Sequence, residues 1–320
     1  MSKATAIAHP MQGLIKYHGL RDEKLRIPFH DSISVATAPL STVTTVEEAD
    51  VGADTAIIDG KTVTGRAMER ISDVLNEVRK RAGYDGGFKV ISKNDFPSGI
   101  GLGASASGFA ALAEAATACL GLKLSKKEIS SIARLGAGSA SRSVTGGFSR
   151  WRMGTGNSDS YAEKIAGEEV GMHIIIAIVE AEKQTEDAHR EVVHSPLFQG
   201  RLAYLHGALA EMEKAIRERE VENIGMLAER DTLSLHAITM TGPSMLIFWR
   251  PETLSVIREV RQMRKEGIGC YFSIDTGASV YINCRQESIR EIETRIQNLG
   301  IRTIRCTIGG ESRTINSHLF

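Results

Sequence analysis

The alternation of apolar and polar positions divides the chain into two stretches with different rhythms. Near the N-terminus "KATAIAH", "SISVATA" and "STVTTVEEA" alternate residue by residue, the period of a half-buried strand. "DTAIIDGKTV" sets an Asp-Gly turn between two short strands. Over 65–82 the period lengthens, and Met68, Ile71, Val74, Leu75 and Val78 fall on one face of a helix. "GGFKVISKND" returns to strand and feeds "FPSGIGLGASASGFAAL", where glycines and small hydroxyl residues give way to a helix-forming run that continues to Leu122. Ser125 and Glu128 have the spacing of a capping box at the head of "SKKEISSIARLG", a helix ending at a glycine.

Beyond residue 170 the pattern changes. "MHIIIAIVE" predicts a buried strand, and 196–218 and 220–238 predict two long amphipathic helices. A helix over 252–266, strands over 270–275 and 279–284, a helix over 286–298 and a strand over 302–307 follow. That order predicts an antiparallel sheet backed by helices, hence an α+β protein of two domains, 1–170 and 171–320.

Composition narrows the classes of function. Lys plus Arg and Asp plus Glu number 39 each, so no global charge draws the chain to nucleic acid or to an anionic membrane. The four cysteines, Cys119, Cys270, Cys284 and Cys306, are scattered without a CxxC pair; they predict buried thiols in a reducing compartment, with no metal site. The first residues lack the apolar core of a signal peptide, and "MHIIIAIV" is too short to span a bilayer. The expectation is a soluble, cytoplasmic protein without nucleic-acid or membrane partners, in which a local basic site for a small anion stays open.

Four segments carry candidate chemistry. In "PSGIGLGASASG", Gly101, Gly103, Ser105 and Ser107 stand where a loop closes onto a helix N-terminus, which suits a phosphate; a plain Gly-rich turn before a core helix suits the pattern equally. In 14–34, Lys16, His18, Arg21, Lys24 and Arg26 crowd around Tyr17, either as a solvated basic loop or as a site for an anion. In 133–151, small residues and the hydroxyls of Ser139, Ser141 and Ser143 surround Arg142, whose guanidinium can grip a carboxylate; close helix packing is the alternative. In "GCYFSIDTGASVYI", Asp275 ends an apolar strand just before a turn, as a site carboxylate or as a turn former.

Taken in order, "LIKYHGLRD", "FPSGIGLGASASGFAAL", "ARLGAGSASRSVTGGF" and "CYFSIDTG" resemble the GHMP kinase superfamily and, within it, the mevalonate-pathway decarboxylases. The resemblance runs nearly the whole chain. It implies a two-layer α+β fold, with a ribosomal-S5-like N-terminal domain, a ferredoxin-like C-terminal domain and the active site between them. It also implies roles. Asp275 would act at the C3 oxygen of a mevalonate, Arg142 would hold its carboxylate, and Lys16 would belong to the catalytic set. Tyr17, His18, Ser139 and Ser141 would contact substrate, and Gly101, Gly103, Ser105 and Ser107 would form the phosphate loop. His236 matches a histidine-containing segment without an assigned role.

The departures from the family pattern bear on the substrate. Leu20 stands where relatives on a diphosphate carry lysine, Ala137 where they carry a phosphate-contacting serine, and Asp187 or a neighbour where they carry arginine. Those losses favour a C5 monophosphate. Ala104 removes one hydroxyl from the nucleotide loop, which favours a substrate already phosphorylated at C3, mevalonate 3,5-bisphosphate, giving isopentenyl phosphate without a cofactor. The alternative is an ATP- and Mg²⁺-dependent 5-phosphomevalonate decarboxylase with the same product. A diphosphomevalonate decarboxylase or a small-molecule kinase of the superfamily ranks below both. Relatives make a homodimer reasonable.

Overall fold

The structure is a computed structural model and describes residues 2–49, 52–97, 101–181, 189 and 191–320. Of the alternating segments of the first half, "KATAIAH" and "STVTTVEEA" become strands of a six-stranded sheet, while "SISVATA" joins a second sheet. The six-stranded sheet contains β1 (Lys3–Ala8), β6 (Thr42–Ala49), β7 (Thr55–Ile58), β8 (Lys61–Thr62) and β9 (Gly87–Asn94), closed at one edge by β16 (Arg313–Ile315). The strand order is β16-β1-β6-β9-β7-β8. Asp59 and Gly60 take φ of 49° and 78°, the left-handed pair that a tight hairpin needs between β7 and β8. Helix α1 (Gly65–Ala82) buries Ile71, Val74, Leu75 and Val78, the stripe that the periodicity predicts.

Helix α2 (Ala104–Cys119) is alanine-rich and buried on most sides, and α3 (Lys126–Gly136) packs beside it. Ser125 caps α3 as expected: its N–H and hydroxyl donate to Glu128 Oε2 at 2.9 and 2.7 Å, and its side chain accepts from the Glu128 N–H. A three-residue link, Ala137 to Ser139, then leads into α4 (Ala140–Thr145).

The second sheet spans both halves of the chain. Its order is β11-β10-β5-β15-β12-β14-β13, with β2 also paired to β5. From the first half come β2 (Met11–Ile15), β5 (Ser32–Ala38), β10 (Phe148–Arg152) and β11 (Tyr161–Ala166). From the second come β12 (His173–Ala177), β13 (Cys270–Ser273), β14 (Val280–Cys284) and β15 (Thr303–Ile308). The seam is the pairing of Thr307 with Ala38 and Ile308 with Thr37. Helices α5 (Phe198–Arg217), α6 (Val221–Met240), α7 (Pro251–Lys265) and α8 (Ile289–Gln297) complete the second half. A small hairpin, β3 (Leu20–Asp22) with β4 (Ile27–Pro28), lies in the basic segment.

The architecture is α+β, as the element order implies, and no helix among the described residues is long and apolar enough to cross a membrane. Strands β2, β10, β11 and β16 and helix α4 carry no periodic signal in the sequence. β2 is buried at all five positions and so does not alternate, and α4 has only six residues, rich in serine and threonine.

Ser125→Ala removes the cap of α3 and is expected to lower stability by about 1 kcal/mol. Urea unfolding checks it: a midpoint shift of that size with turnover unchanged at 25 °C is the expected result.

Candidate active site

One cleft collects residues from β2, α2, α4, α6 and the turn after β13. Its floor is β2. Asp275 lies just past the end of β13, and the Gly13 N–H reaches its two carboxylate oxygens at 3.2 Å each. Residue 13 must be glycine for this approach. A Cβ there would stand 2.9 Å from Asp275 Oδ1 and 2.7 Å from Lys16 Cγ.

Lys16 leaves the end of β2 and is 4% exposed. Its Nζ donates to Ser273 Oγ at 2.8 Å and Thr232 Oγ1 at 3.0 Å, and Asp231 Oδ2 lies 3.8 Å away. Burial pushes its pKa below the usual lysine value, opposed by the charges of Asp231 and Asp275. Arg142, on α4, is 2% exposed. It donates to Ser32 Oγ and, at 3.5 Å, to Met11 Sδ, while its Nε has no partner. Its guanidinium carbon lies 5.3 Å from the Tyr17 ring centre and 5.6 Å from that of Trp151. Burial lowers its pKa to about 10, which still leaves it charged at neutral pH. Among the described residues no carboxylate forms an ion pair with it, so a buried cation faces the cleft with donor capacity to spare.

Tyr17 packs edge-on against Trp151, with ring centres 4.8 Å apart, and stacks on His189 at 5.0 Å. His18 lies 4.2 Å from His189 and is held neutral by burial. Across the cleft, Gly101 and Gly103 take φ of 86° and 81° and bring the chain into the first turn of α2, where Ser105 faces the opening. A Cβ on Gly103 would press on Pro10 and Met11 at 3.2 and 3.3 Å.

The structure thus gathers Lys16, Tyr17, His18, Gly101, Gly103, Ser105, Ser139, Arg142 and Asp275 around one space. Two candidates do not join them. Ser107 is fully buried, with its hydroxyl 2.6 Å from Thr42 Oγ1, and Ser141 is fully buried and donates to Gly138 O at 2.7 Å. Each lies two residues beyond a serine that faces the cleft, about 200° around the helix, and so points away from it. The basic segment also divides. Lys16 and His18 are buried, Arg21 and Lys24 are exposed, and Arg26 donates from Nε to Leu135 O at 2.8 Å. Asp187 and residues 98–100 of the glycine loop lie outside the described residues.

Three groups escaped the sequence reading: Gly13, Asp231 and Arg201. Asp231 is wholly buried and ties Lys16 to Arg201. The pKa of His236, five residues further along α6, is pushed down to about 3 by burial and by the Lys16 charge. A second, more apolar cavity of about 290 Å³ adjoins the glycine turn. Ile58, Ile71, Val90, Leu102, Phe109 and Leu112 form its apolar wall, and Gly101, Gly103 and Ser105 border both spaces.

Comparison with known proteins accounts for this layout. Residues 8–162 match the diphosphomevalonate decarboxylase-like N-terminal domain, and residues 174–306 match the mevalonate 5-diphosphate decarboxylase C-terminal domain. A phosphomevalonate decarboxylase of Haloferax volcanii is 45% identical over 317 residues, covering 98% of each chain. The chain belongs to the mevalonate-pathway decarboxylase family. This decarboxylase is a carboxy-lyase of the GHMP superfamily, as its four motifs imply. A diphosphomevalonate decarboxylase of Aspergillus fumigatus is 31% identical, over 88% of this chain and 76% of its own. Among solved structures, the mevalonate diphosphate decarboxylase of Staphylococcus aureus superposes with a TM-score of 0.93 at 31% identity, covering 98% of both chains. MDDEF in complex with MVAPP, AMPPCP and magnesium superposes at 0.92 and 30% identity, covering 99% of both.

Gly13→Ala tests the floor of the cleft. The added methyl displaces Asp275 or the Lys16 stem, so turnover should fall about 100-fold or more for a stability loss of only about 1–3 kcal/mol. Steady-state kinetics beside a thermal melt separates the two effects.

Proposed function

We propose that this decarboxylase acts on 5-phosphomevalonate, transferring phosphate from ATP to the C3 hydroxyl and then expelling that phosphate together with CO2 to give isopentenyl phosphate. The observation that carries the ATP requirement is the apolar cavity beside the glycine turn. Its aliphatic and aromatic wall suits a purine base, and Gly101, Gly103, Ser105 and the N-terminus of α2 suit the phosphates next to it. When bound, ATP supplies the phosphoryl group and brings Mg²⁺ on its phosphate oxygens. In this reading residues 1–170 carry the nucleotide and 171–320 bring Asp275 to a site between them, in a cytoplasmic enzyme.

The chain's own residues then have distinct tasks. Asp275 takes or orients the proton of the C3 hydroxyl. Arg142 grips the C1 carboxylate, which meets its need for an anion. That grip aligns the C1–C2 bond with the departing C3–O bond. As both break, the C1–C2 electron pair becomes the C2–C3 double bond, and phosphate leaves with the C3–O pair. Asp275 stabilises the positive charge that builds at C3, while Lys16 and the α2 N-terminus offset the charge on the leaving phosphate. Tyr17, His18 and Ser139 lie toward the C5 phosphate. The restriction to a monophosphate rests on Leu20 and Ala137, which supply neither a cation nor a hydroxyl, and the likeness to the Haloferax protein supports it.

A second reading is the elimination of phosphate and CO2 from mevalonate 3,5-bisphosphate without ATP. It rests on Ala104, the first residue of α2, which brings no hydroxyl to the loop. Incubation separates the two. With 5-phosphomevalonate, ATP and Mg²⁺, ADP, phosphate and CO2 should form in equal amounts, and omission of ATP should stop all three. CO2 release from the bisphosphate alone, with none from the ATP mixture, would establish the second reading instead.

A plug in the apolar cavity tests the nucleotide's place. A Cβ on Gly108, which lines the cavity, meets nothing within 4 Å, so Gly108→Leu fills the space from a helix. The KM for ATP should rise about 10-fold or more with the KM for 5-phosphomevalonate little changed. Equal ATP kinetics in the variant would remove the nucleotide from this cavity.

A further inference from the structure

Asp231 and Arg201 touch no part of the cleft surface, yet both end on Lys16. Asp231, Arg201 and Lys16 are 0%, 3% and 4% exposed. The Lys16 N–H donates to Asp231 Oδ2 at 2.9 Å, and Arg201 Nη2 donates to the Lys16 carbonyl at 2.8 Å. The two partners are themselves joined, Arg201 Nη2 to Asp231 Oδ1 at 2.9 Å. A buried ion pair therefore clasps both peptide groups of Lys16, the residue just past the end of β2.

The clasp continues to the side chain. Asp231 Oδ2 lies 3.8 Å from Lys16 Nζ, which also donates to Thr232 Oγ1 and Ser273 Oγ. Thr232 Oγ1 accepts the Ile274 N–H at 3.2 Å, one residue before Asp275. Ser273 Oγ donates to Gly13 O at 3.1 Å, and the Gly13 N–H holds Asp275. The chain of contacts from Arg201 to Asp275 has no gap.

We propose that Asp231 and Arg201 are positioning residues that act through Lys16, fixing its backbone and keeping its ammonium charged and aimed at the reacting end of the cleft. The inference rests on the reading of Lys16 as a cation for the leaving phosphate. Among the described residues, the titratable or charged groups that face Lys16 are Asp231 and His236 of α6, Arg201 of α5, and Asp275 after β13. His236 is neutral, so the two carboxylates oppose the burial of Lys16 and the charge of Arg201. Loss of Asp231 leaves Asp275 alone against both, and Lys16 then gives up its proton at lower pH.

The test is a double-mutant cycle with a pH profile. Asp231→Asn should lower kcat about 100-fold with KM changed less than about threefold, because the ground-state contacts of the substrate are kept. Its activity should fall off on the alkaline side about one pH unit lower than in the wild type, since a lysine whose folded pKa drops loses its charge earlier as pH rises. In a Lys16→Met background the same change should cost less than about threefold more, the mark of two residues acting as one. Additive losses, or an unmoved alkaline limb, would overturn the inference. Wild-type turnover by Lys16→Met alone would instead remove the reading of Lys16 on which it rests. If Asp231→Asn does not fold, Arg201→Lys undergoes the same cycle, and titration of labelled lysine in the wild type gives a second arm. A Lys16 ammonium that persists across the whole pH range of activity supports the clasp, and one that deprotonates within that range contradicts it.

Discussion

Asp275 rests on the bare backbone of Gly13, and the rest of the cleft is arranged around that contact. A carboxylate so close to a strand is held by the strand's own N–H, and it places a negative charge beside two buried cations, Lys16 and Arg142. Burying such charges is costly unless they compensate one another, and removing one member of a buried pair costs about 3–5 kcal/mol. The molecule meets that cost unevenly. Lys16 is surrounded by Asp231, Thr232 and Ser273, whereas among the described residues Arg142 donates only to a hydroxyl and a thioether. The uneven treatment separates a cation that belongs to the protein's own network from one left with donor capacity facing the cleft.

The position of this network on the seam between the halves explains the topology around it. β2 comes from the start of the chain, α6 and β13 from the second half, and β15 pairs back onto β5. A shift between the halves would pull Gly13 from Asp275 and Lys16 from Asp231 together. The sheet that runs across the seam resists that shift, so the register of a few strands sets the distance between carboxylate and ammonium. The apolar cavity depends less on the seam, since α1, α2 and β9 border it from within the first half.

Local features were legible in the sequence because a few adjacent residues determine them. The Asp59-Gly60 turn, the Ser125 cap and the α1 stripe all stand where their patterns put them. The neighbours of Arg142 and Asp275, small residues around a guanidinium and a strand end under a carboxylate, singled them out but left a packing role and a turn former equally open, and the family resemblance supplied the rest. The clasp on Lys16 was not legible, because Asp231 and Arg201 lie 215 and 185 residues away in the chain and look like ordinary helix-surface charges. Ser107 and Ser141 misled for a different reason. A loop pattern counts hydroxyls without regard to helical phase, and two residues along a helix separate a cleft-facing serine from a buried one. Gly13 went unremarked because nothing in "MQGLI" tells that a carboxylate from position 275 will press against it.

The central claim is that one cleft first phosphorylates the C3 hydroxyl and then expels that same oxygen with the phosphate. Labelling decides this most directly. With 5-phosphomevalonate carrying ¹⁸O in the C3 hydroxyl, in the presence of ATP and Mg²⁺, the account predicts that every inorganic phosphate released carries one ¹⁸O, in step with CO2. Label appearing in water, with unlabelled phosphate beside the same yield of CO2, would contradict it.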